Sequence, residues 1–294
     1  MVRVIPNSPL VTNDIPEIGP EEIDIIRRLL EERISFNLGM YKDKCVMRRI
    51  NIRIRATNSR TPLDYCRLLE RDERELAHLY KALTIHVSHF FRNPSVFDMV
   101  RATVIPEILS THGKAGREVV FWSVGCSTGE EPYSLAIILK EHFAEMIETI
   151  PVRIIATDIN AEILDAARRG VYGPERLAEV SPQLMTRYFT PEGAKLRLAA
   201  EIRDMVTFSQ EEIFQAGFSR KCDLIFCRNV MIYFERPWQE RMLIGFAESL
   251  NEGGFLVLGK SETMVGESRR FFYQANPVER IYRANAHAFN GSGR

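Results

Sequence analysis

Two carboxylates stand side by side in Gly125-Cys126-Ser127-Thr128-Gly129-Glu130-Glu131-Pro132, directly after a short β-branched and aromatic run, Glu118 to Val124. In a doubly wound sheet, ligands bind beyond the carboxyl ends of the strands, where strand order reverses. Glycines at such a junction let the backbone approach a ligand, and the following helix offers unpaired N–H groups and the positive end of its dipole. A pyrophosphate there would be repelled by Glu130 and Glu131. A cationic ligand suits them better, and the sulfonium and amino group of S-adenosylmethionine carry such charge. The GxxxG spacing also departs from the GxGxxG of dinucleotide folds. The plainer role for either glutamate is to complement the helix dipole.

Two further segments carry chemistry. Asp158 closes the apolar run Val152 to Thr157, and an acid at the end of a second strand can accept hydrogen bonds from both hydroxyls of a ribose. That position does not separate NAD from S-adenosylmethionine, and its plainer role is to cap the helix beginning near Asn160. Phe226-Cys227-Arg228-Asn229-Val230-Met231-Ile232-Tyr233-Phe234 follows a third strand, Asp223 to Cys227. Arg228, Asn229 and Tyr233 are thereby placed to touch cofactor or substrate. For Tyr233 alone, a core aromatic with a satisfied hydroxyl would be the default.

The elements that must position these residues fall into two regions. After an irregular start, an apolar stripe at helical spacing (Ile23, Ile26, Leu29, Leu30, Ile34) opens at Glu21. Helices follow over roughly Asp43 to Thr57, from Thr61-Pro62, and through Leu76, Leu79 and Leu83. After Asn93-Pro94 the rhythm changes to strands alternating with helices, which indicates βαβ units and a parallel sheet covered on both faces. The helices are read at about Glu131 to Glu148, Ala161 to Arg168 and Pro237 to Leu250. A further strand lies at Phe255 to Leu258, and closing strands near Phe271 to Tyr273 and Val278 to Tyr282. Residues 172–206 fit poorly and read as a small insertion. The expected organisation is an irregular stretch 1–19, a helical domain 20–93, a cofactor-binding domain 94–285 and a disordered tail 286–294.

Composition narrows the function classes. Of 294 residues, 39 are Lys or Arg and 39 Asp or Glu, so the formal net charge is zero and a surface built throughout for nucleic acid is disfavoured. Five cysteines form no CxxC pair, which argues against a zinc site or a disulfide framework, and no metal is expected. Met1 to Leu10 lacks a signal-peptide core, and no stretch approaches the ~20 apolar residues of a membrane span. A cytoplasmic protein is expected.

The motifs together resemble the chemotaxis receptor methyltransferase family, the CheR-type protein-glutamate O-methyltransferases. The similarity rests on Leu83-Thr84-Ile85, Ser88, Phe90-Phe91-Arg92, Ser127 to Ser134, Thr157-Asp158-Ile159 and Cys227 to Phe234, in the family's order. It implies an α/β fold: a doubly wound, mostly parallel Rossmann-like sheet, an all-helical N-terminal domain, and a small antiparallel β-subdomain at 172–206. It also implies that Ser88, Arg92, Glu131, Asp158, Arg228 and Asn229 contact S-adenosylmethionine, and that Arg92 and Tyr233 border the transferred methyl group. His86 stands where many members carry Asn. Glu212-Ile213 stands where an Asn-Leu pair commonly flanks the adenine, and a Glu oxygen could still accept from an adenine amino group.

A glutamate substrate is already ionised at neutral pH, so methyl transfer to it needs desolvation and alignment and no general base. Arg92 could hold the anionic substrate, and Tyr233 could orient a carboxylate oxygen. Lys42, Lys44, Arg48, Arg49, Arg53, Arg55 and Arg60 face a single acid, Asp43, between residues 42 and 60. Arg48, Arg49, Arg53 and Arg55 can share much of one helix face. A solvated face or a nucleic-acid patch would look the same; the resemblance points to docking of glutamate-rich receptor helices. In some family members the β-subdomain adds a receptor's C-terminal tail as an extra strand. The rivals are a same-fold methyltransferase for another protein, nucleic acid or a small molecule, and a non-catalytic cofactor-binding scaffold. An NAD-dependent oxidoreductase is disfavoured by Glu130, Glu131 and the missing GxGxxG.

Overall fold

The computed structural model describes residues 17–84, 88–111, 116–218 and 220–285. The chain divides at 85/86 into two compact units. The division lies ahead of the break in pattern at Asn93-Pro94, because Phe90 and Phe91 are already part of the second unit's core. His86 and the expected tail 286–294 lie outside the described residues, as do residues 1–16 of the expected irregular start.

The first unit is helical: α1 Pro20–Ile34, α2 Asp43–Ala56, α3 Pro62–Arg71 and α4 Glu73–Leu83. Local chemistry sets each start. The Glu22 carboxylate accepts from the Gly19 N–H at 3.1 Å, the Thr61 hydroxyl from the Asp64 N–H at 3.1 Å, and Asp72 from the Arg74 N–H at 2.9 Å. Of the expected α1 stripe, Ile26 and Leu30 are buried, but Ile34 is exposed at the last turn. The α2–α4 contact holds a polar knot. Arg53 donates to both oxygens of Glu75, at 2.9 and 2.5 Å, and the Tyr65 hydroxyl donates to the same carboxylate at 2.8 Å.

The second unit carries strands β1 Val119–Val124, β2 Val152–Asp158, β3 Val171–Tyr172, β4 Phe189–Glu192 and β5 Lys195–Leu198. These are followed by β6 Val206–Gln210, β7 Cys222–Cys227, β8 Leu250–Leu258, β9 Phe272–Asn276 and β10 Ile281–Ala284. Seven form one sheet in the order β6-β2-β1-β7-β8-β10-β9. Its first five strands are parallel and β10 pairs antiparallel on both sides. Strands β1 and β7 are wholly buried, as continuous apolar runs must be when helices cover both faces. The expected doubly wound α/β sheet is present, and order reverses beside β1.

Helices of this unit are α5 Pro94–Met99, α6 Ile105–Thr111, α7 Glu130–His142, α8 Ala144–Thr149 and α9 Ala161–Arg169. The chain continues with α10 Pro182–Tyr188, α11 Ala200–Arg203, α12 Ile213–Ala216 and α13 Arg236–Ser249. The single helix expected over 131–148 is two, because Phe143 leaves helical geometry at φ −135°, ψ 20°. The insertion is a three-stranded antiparallel sheet, β3-β5-β4, but it ends before Val206: β6 belongs to the main sheet as its edge. Its half-exposed Thr-Phe-Ser-Gln run lacks the apolar signature of a central strand. Phe90 locks the insertion to the core, meeting Tyr172 and Phe189 edge-on at 4.9 and 5.2 Å between ring centres.

Candidate cofactor and substrate site

The loops after β1, β2, β7 and β8 leave the same edge of the sheet, where parallel strands end together: Val124 pairs with Thr157, and Cys227 with Leu258. The β1 loop turns through left-handed backbone at Gly125, Ser127 and Gly129, with φ of 64°, 53° and 91°. A Cβ at Gly125 would stand 2.6 Å from the Val230 side chain, so glycine lets the β1 and β7 loops touch. Asp158 braces the turn. One carboxylate oxygen accepts from the Ser127 N–H at 2.9 Å and the other from the Asn160 N–H at 3.0 Å. Asn160 itself caps α9. Each Asp158 oxygen keeps a lone pair for a ligand hydroxyl.

The two glutamates of the loop have separate roles. Glu130 is 0% exposed and the Thr128 hydroxyl shares its one proton between the two carboxylate oxygens, at 2.7 and 2.8 Å. Burial pushes its carboxyl up, opposed by Thr128, by the charge of Arg176 and by a Ser88 hydrogen bond. Glu131 is only partly covered. It accepts from Ser123 Oγ at 2.9 Å, and Arg228 Nη1 stands 3.5 Å from its other oxygen. Burial raises its carboxyl too, with Arg228 and Ser123 pulling it back.

Arg228 is the hub of the opposite wall. Its side chain is 1% exposed, lies 5.4 Å over the Phe97 ring, and donates to the Arg92 carbonyl and to Asn93 Oδ1, both at 2.8 Å. It thereby joins the β7 loop to the segment holding Ser88 and Arg92, whose Phe91 N–H is bound by Ser134 Oγ of α7 at 2.9 Å. Asn229 and Tyr233 follow, Tyr233 partly exposed in a 3-10 turn over Met231–Tyr233. Phe91, Asn93, Ser127 and Asn229 all hold positive φ, between 52° and 60°.

Of the residues anticipated from sequence, Glu131, Arg228 and Asn229 meet at this edge with Asp158, and the Arg92 carbonyl joins them. Ser88 reaches the cluster through Arg176 and Glu130. Glu212 is partly engaged elsewhere. One of its carboxylate oxygens accepts from the Phe214 N–H at 3.1 Å and starts α12, which opens with Ile213. The α2 arginines divide. Arg48 and Arg55 are exposed and Arg49 partly so, whereas Arg53 is tied to Glu75.

Two residues escaped sequence reasoning. Glu262, after β8, accepts backbone N–H bonds from the β7 loop. Arg176, in the turn Pro174–Leu177, donates to the Ser88 carbonyl and stands 3.5 Å from Glu130. The carboxyl-end rule that flags Asp158 and Arg228 also covers Gly259 to Glu262. No local signal marks Arg176.

Ser127 Oγ, Arg228 Nε and Asn229 Oδ1 are buried without a hydrogen-bond partner among the described residues. A buried polar atom left unpaired costs about 1–3 kcal/mol. Such atoms, beside partly covered Glu131 and buried Asp158, fit a ligand rich in hydroxyl, amino and carboxylate groups. That is the chemistry of an amino-acid nucleoside.

Comparison with known proteins agrees with this geometry. Residues 86–279 match the family described as CheR methyltransferase, SAM binding domain, and residues 21–84 match CheR methyltransferase, all-alpha domain. Chemotaxis protein methyltransferase 2 of Pseudomonas aeruginosa is 34% identical over 267 residues, covering 89% of this chain and 93% of the relative. The chemotaxis protein methyltransferase of Klebsiella aerogenes is 35% identical over 263 residues, covering 86% and 87%. That of Listeria innocua is 32% identical over 267 residues, covering 88% and 98%. With both domains matched and the acidic, partly unsatisfied cluster at the sheet edge, the chain belongs to the CheR methyltransferase family and is an S-adenosylmethionine-dependent methyltransferase.

Proposed function

We propose that this enzyme methylates glutamate side chains of methyl-accepting chemotaxis receptors, forming glutamyl methyl esters during sensory adaptation. The cofactor supplies a methyl group on a sulfonium centre. The observation that carries the reading is the pairing of Glu131 with buried Arg228 beside Asp158 and the unpartnered Ser127 and Asn229 atoms. It supports cofactor contacts by Ser88, Arg92, Glu131, Asp158, Arg228 and Asn229, with Glu212 and Ile213 beside the adenine. Arg92 holds the acceptor carboxylate by charge, and Tyr233 orients it by a hydrogen bond. Neither takes a proton from an acceptor that is already ionised.

Receptor helices dock on the basic face of α2 in this reading. The exposure of Arg48 and Arg55 supports them as the docking charges, with Arg49 at the margin. The ion pair to Glu75 gives Arg53 a mainly structural part. A receptor tail would add to the exposed edge strand β4 of the small sheet. The receptor helices that accept the methyl group lie on the cytoplasmic side, and this enzyme works there. Among the described residues no helix is long and apolar enough to cross a membrane.

The test is transfer of tritiated methyl groups to receptor-enriched membranes. Base-labile label, lost when the receptor's methylation glutamates are replaced by alanine, is the expected result. Base-stable label, or label on nucleic acid, would replace this reading with that of a same-fold methyltransferase for another substrate.

A further inference from the structure

Glu262 is a buried carboxylate. Its side chain is on the loop after β8, and the residue is 3% exposed. Oε2 accepts from the Gly259 N–H at 2.7 Å and the Asn229 N–H at 2.9 Å, while Oε1 accepts from Val230 at 2.9 Å and Ile232 at 3.3 Å. Consecutive N–H groups gathered by a left-handed residue make a concave anion site. Asn229, at φ 60°, is that residue, and the anion is supplied by the chain itself. A Cβ at Gly259 would stand 2.7 Å from Glu262 Oε2 and 2.9 Å from the Asn229 nitrogen, so the two loops interlock with no room between them.

The residues so gripped are the ones the site needs. Asn229 carries a buried Oδ1 with no partner among the described residues, and Tyr233 sits one residue beyond the last gripped amide. Arg228, one residue before the first, is drawn by charge to both Glu131 and Glu262. Burial raises the Glu262 carboxyl, and the hydrogen bonds from Asn229, Gly259, Val230 and Ile232 oppose that rise.

We infer that Glu262 is the positioning residue of the cofactor site: its carboxylate fixes the backbone of residues 229–232 and thereby aims Asn229 and Tyr233. It touches neither cofactor nor acceptor and acts through those two side chains. The inference rests on the reading that Asn229 contacts the cofactor, and it does not depend on which acceptor is methylated.

Glu262→Gln keeps the size of the side chain but replaces one accepting oxygen with a donor, which must lose at least one pair of amides. The expected result, by calorimetry with S-adenosylhomocysteine well below the melting point, is affinity weaker by about tenfold or more, with folding intact by circular dichroism. Glu262→Asp keeps the anion and should recover part of that loss. A structural role alone would lower the melting point and leave the affinity of the folded protein unchanged. Folded Glu262→Gln that binds within about twofold of wild type overturns the inference. Amide hydrogen exchange on the wild-type protein gives a second reading that needs no variant to fold. Amides 229, 230 and 232 should be protected like those of β7 without ligand, and exchange at the rate of open loop amides would equally overturn it. Loss of receptor methylation with unchanged ligand affinity in these variants would count against Glu262 as a cofactor-site residue, whereas failure of wild type to methylate receptors would touch only the acceptor assignment.

Discussion

Arg176, carried by the inserted segment, places a guanidinium nitrogen 3.5 Å from the fully buried carboxylate of Glu130 at the head of the cofactor loop. The same nitrogen donates to the Ser88 carbonyl, and the Tyr172 hydroxyl donates to the Thr128 carbonyl at 2.7 Å. The insertion is thus a clamp on both the Ser88 segment and the β1 loop.

Removing the clamp should be felt in stability first. Arg176→Ala leaves Glu130 buried with the Thr128 and Ser88 hydroxyls and a backbone N–H but no cation. Because Arg176 is partly exposed, the expected cost is about 1–3 kcal/mol, below the value for a fully buried pair. Adding Glu130→Gln should restore part of it, as a double-mutant cycle by denaturant unfolding would record. Additive losses would show that the two side chains do not interact.

Arg92 is expected to serve cofactor and acceptor together. Arg92→Ala should weaken S-adenosylhomocysteine binding and lower turnover, by about tenfold or more in kcat/KM. Methyl-ester assays at saturating donor separate the two losses. Turnover at the wild-type level would end the assignment.

The raised carboxyls give the cofactor-free protein a pH signature. Glu131 is raised in the folded state by burial, so it binds a proton at pH values where the unfolded chain has released it. Its stabilising contribution is complete below the unfolded value of about 4.3 and is lost as pH rises through the folded value. Thermal melts should therefore show a stability term that grows on acidification from neutrality toward that unfolded value and shrinks in Glu131→Gln. Donor affinity should fall over the same interval, because the anionic carboxylate is the binding form. Asp223 runs the other way. Burial pushes it up, but Arg117, the Val120 N–H and Asn251 outweigh that and hold it low, so its contribution is lost only at more acid pH.

On α2, exposure separates docking from folding. Arg48→Glu with Arg55→Glu should raise the KM for receptor, with an effect that fades at high salt, and leave S-adenosylhomocysteine affinity unchanged. Arg53→Ala should instead destabilise the protein by about 1–3 kcal/mol, because it leaves the buried Glu75 carboxylate with the Tyr65 hydroxyl but without its arginine. A receptor KM at low salt no higher in the double variant than in wild type would remove α2 from receptor recognition.

Much of this site was legible because it obeys one rule. Asp158, Glu131 and Arg228 each follow a recognisable apolar strand, and the carboxyl ends of parallel strands converge. The same reading missed β6, whose edge position lets polar residues replace the apolar pattern. It also grouped Arg53 with Arg48 and Arg55, since helical spacing places the three arginines but says nothing of Glu75, which arrives from α4. Partners far apart in the chain, such as Arg176 with Glu130 or Glu262 with Asn229, are products of tertiary packing and carry no local periodicity.

Left-handed backbone at Phe91, Asn93, Ser127 and Asn229 has an implication for anyone engineering a sturdier catalyst. Non-glycine residues in that conformation each store about 1–3 kcal/mol, so glycine at these positions is the obvious route to robustness. Phe91 and Asn93 flank Arg92, and Ser127 and Asn229 carry buried atoms unpaired among the described residues, so each exchange would discard a side chain or a constraint on the loops proposed to hold the methyl donor. Durability and turnover therefore compete for the same few torsion angles, and hardening this protein has to begin elsewhere.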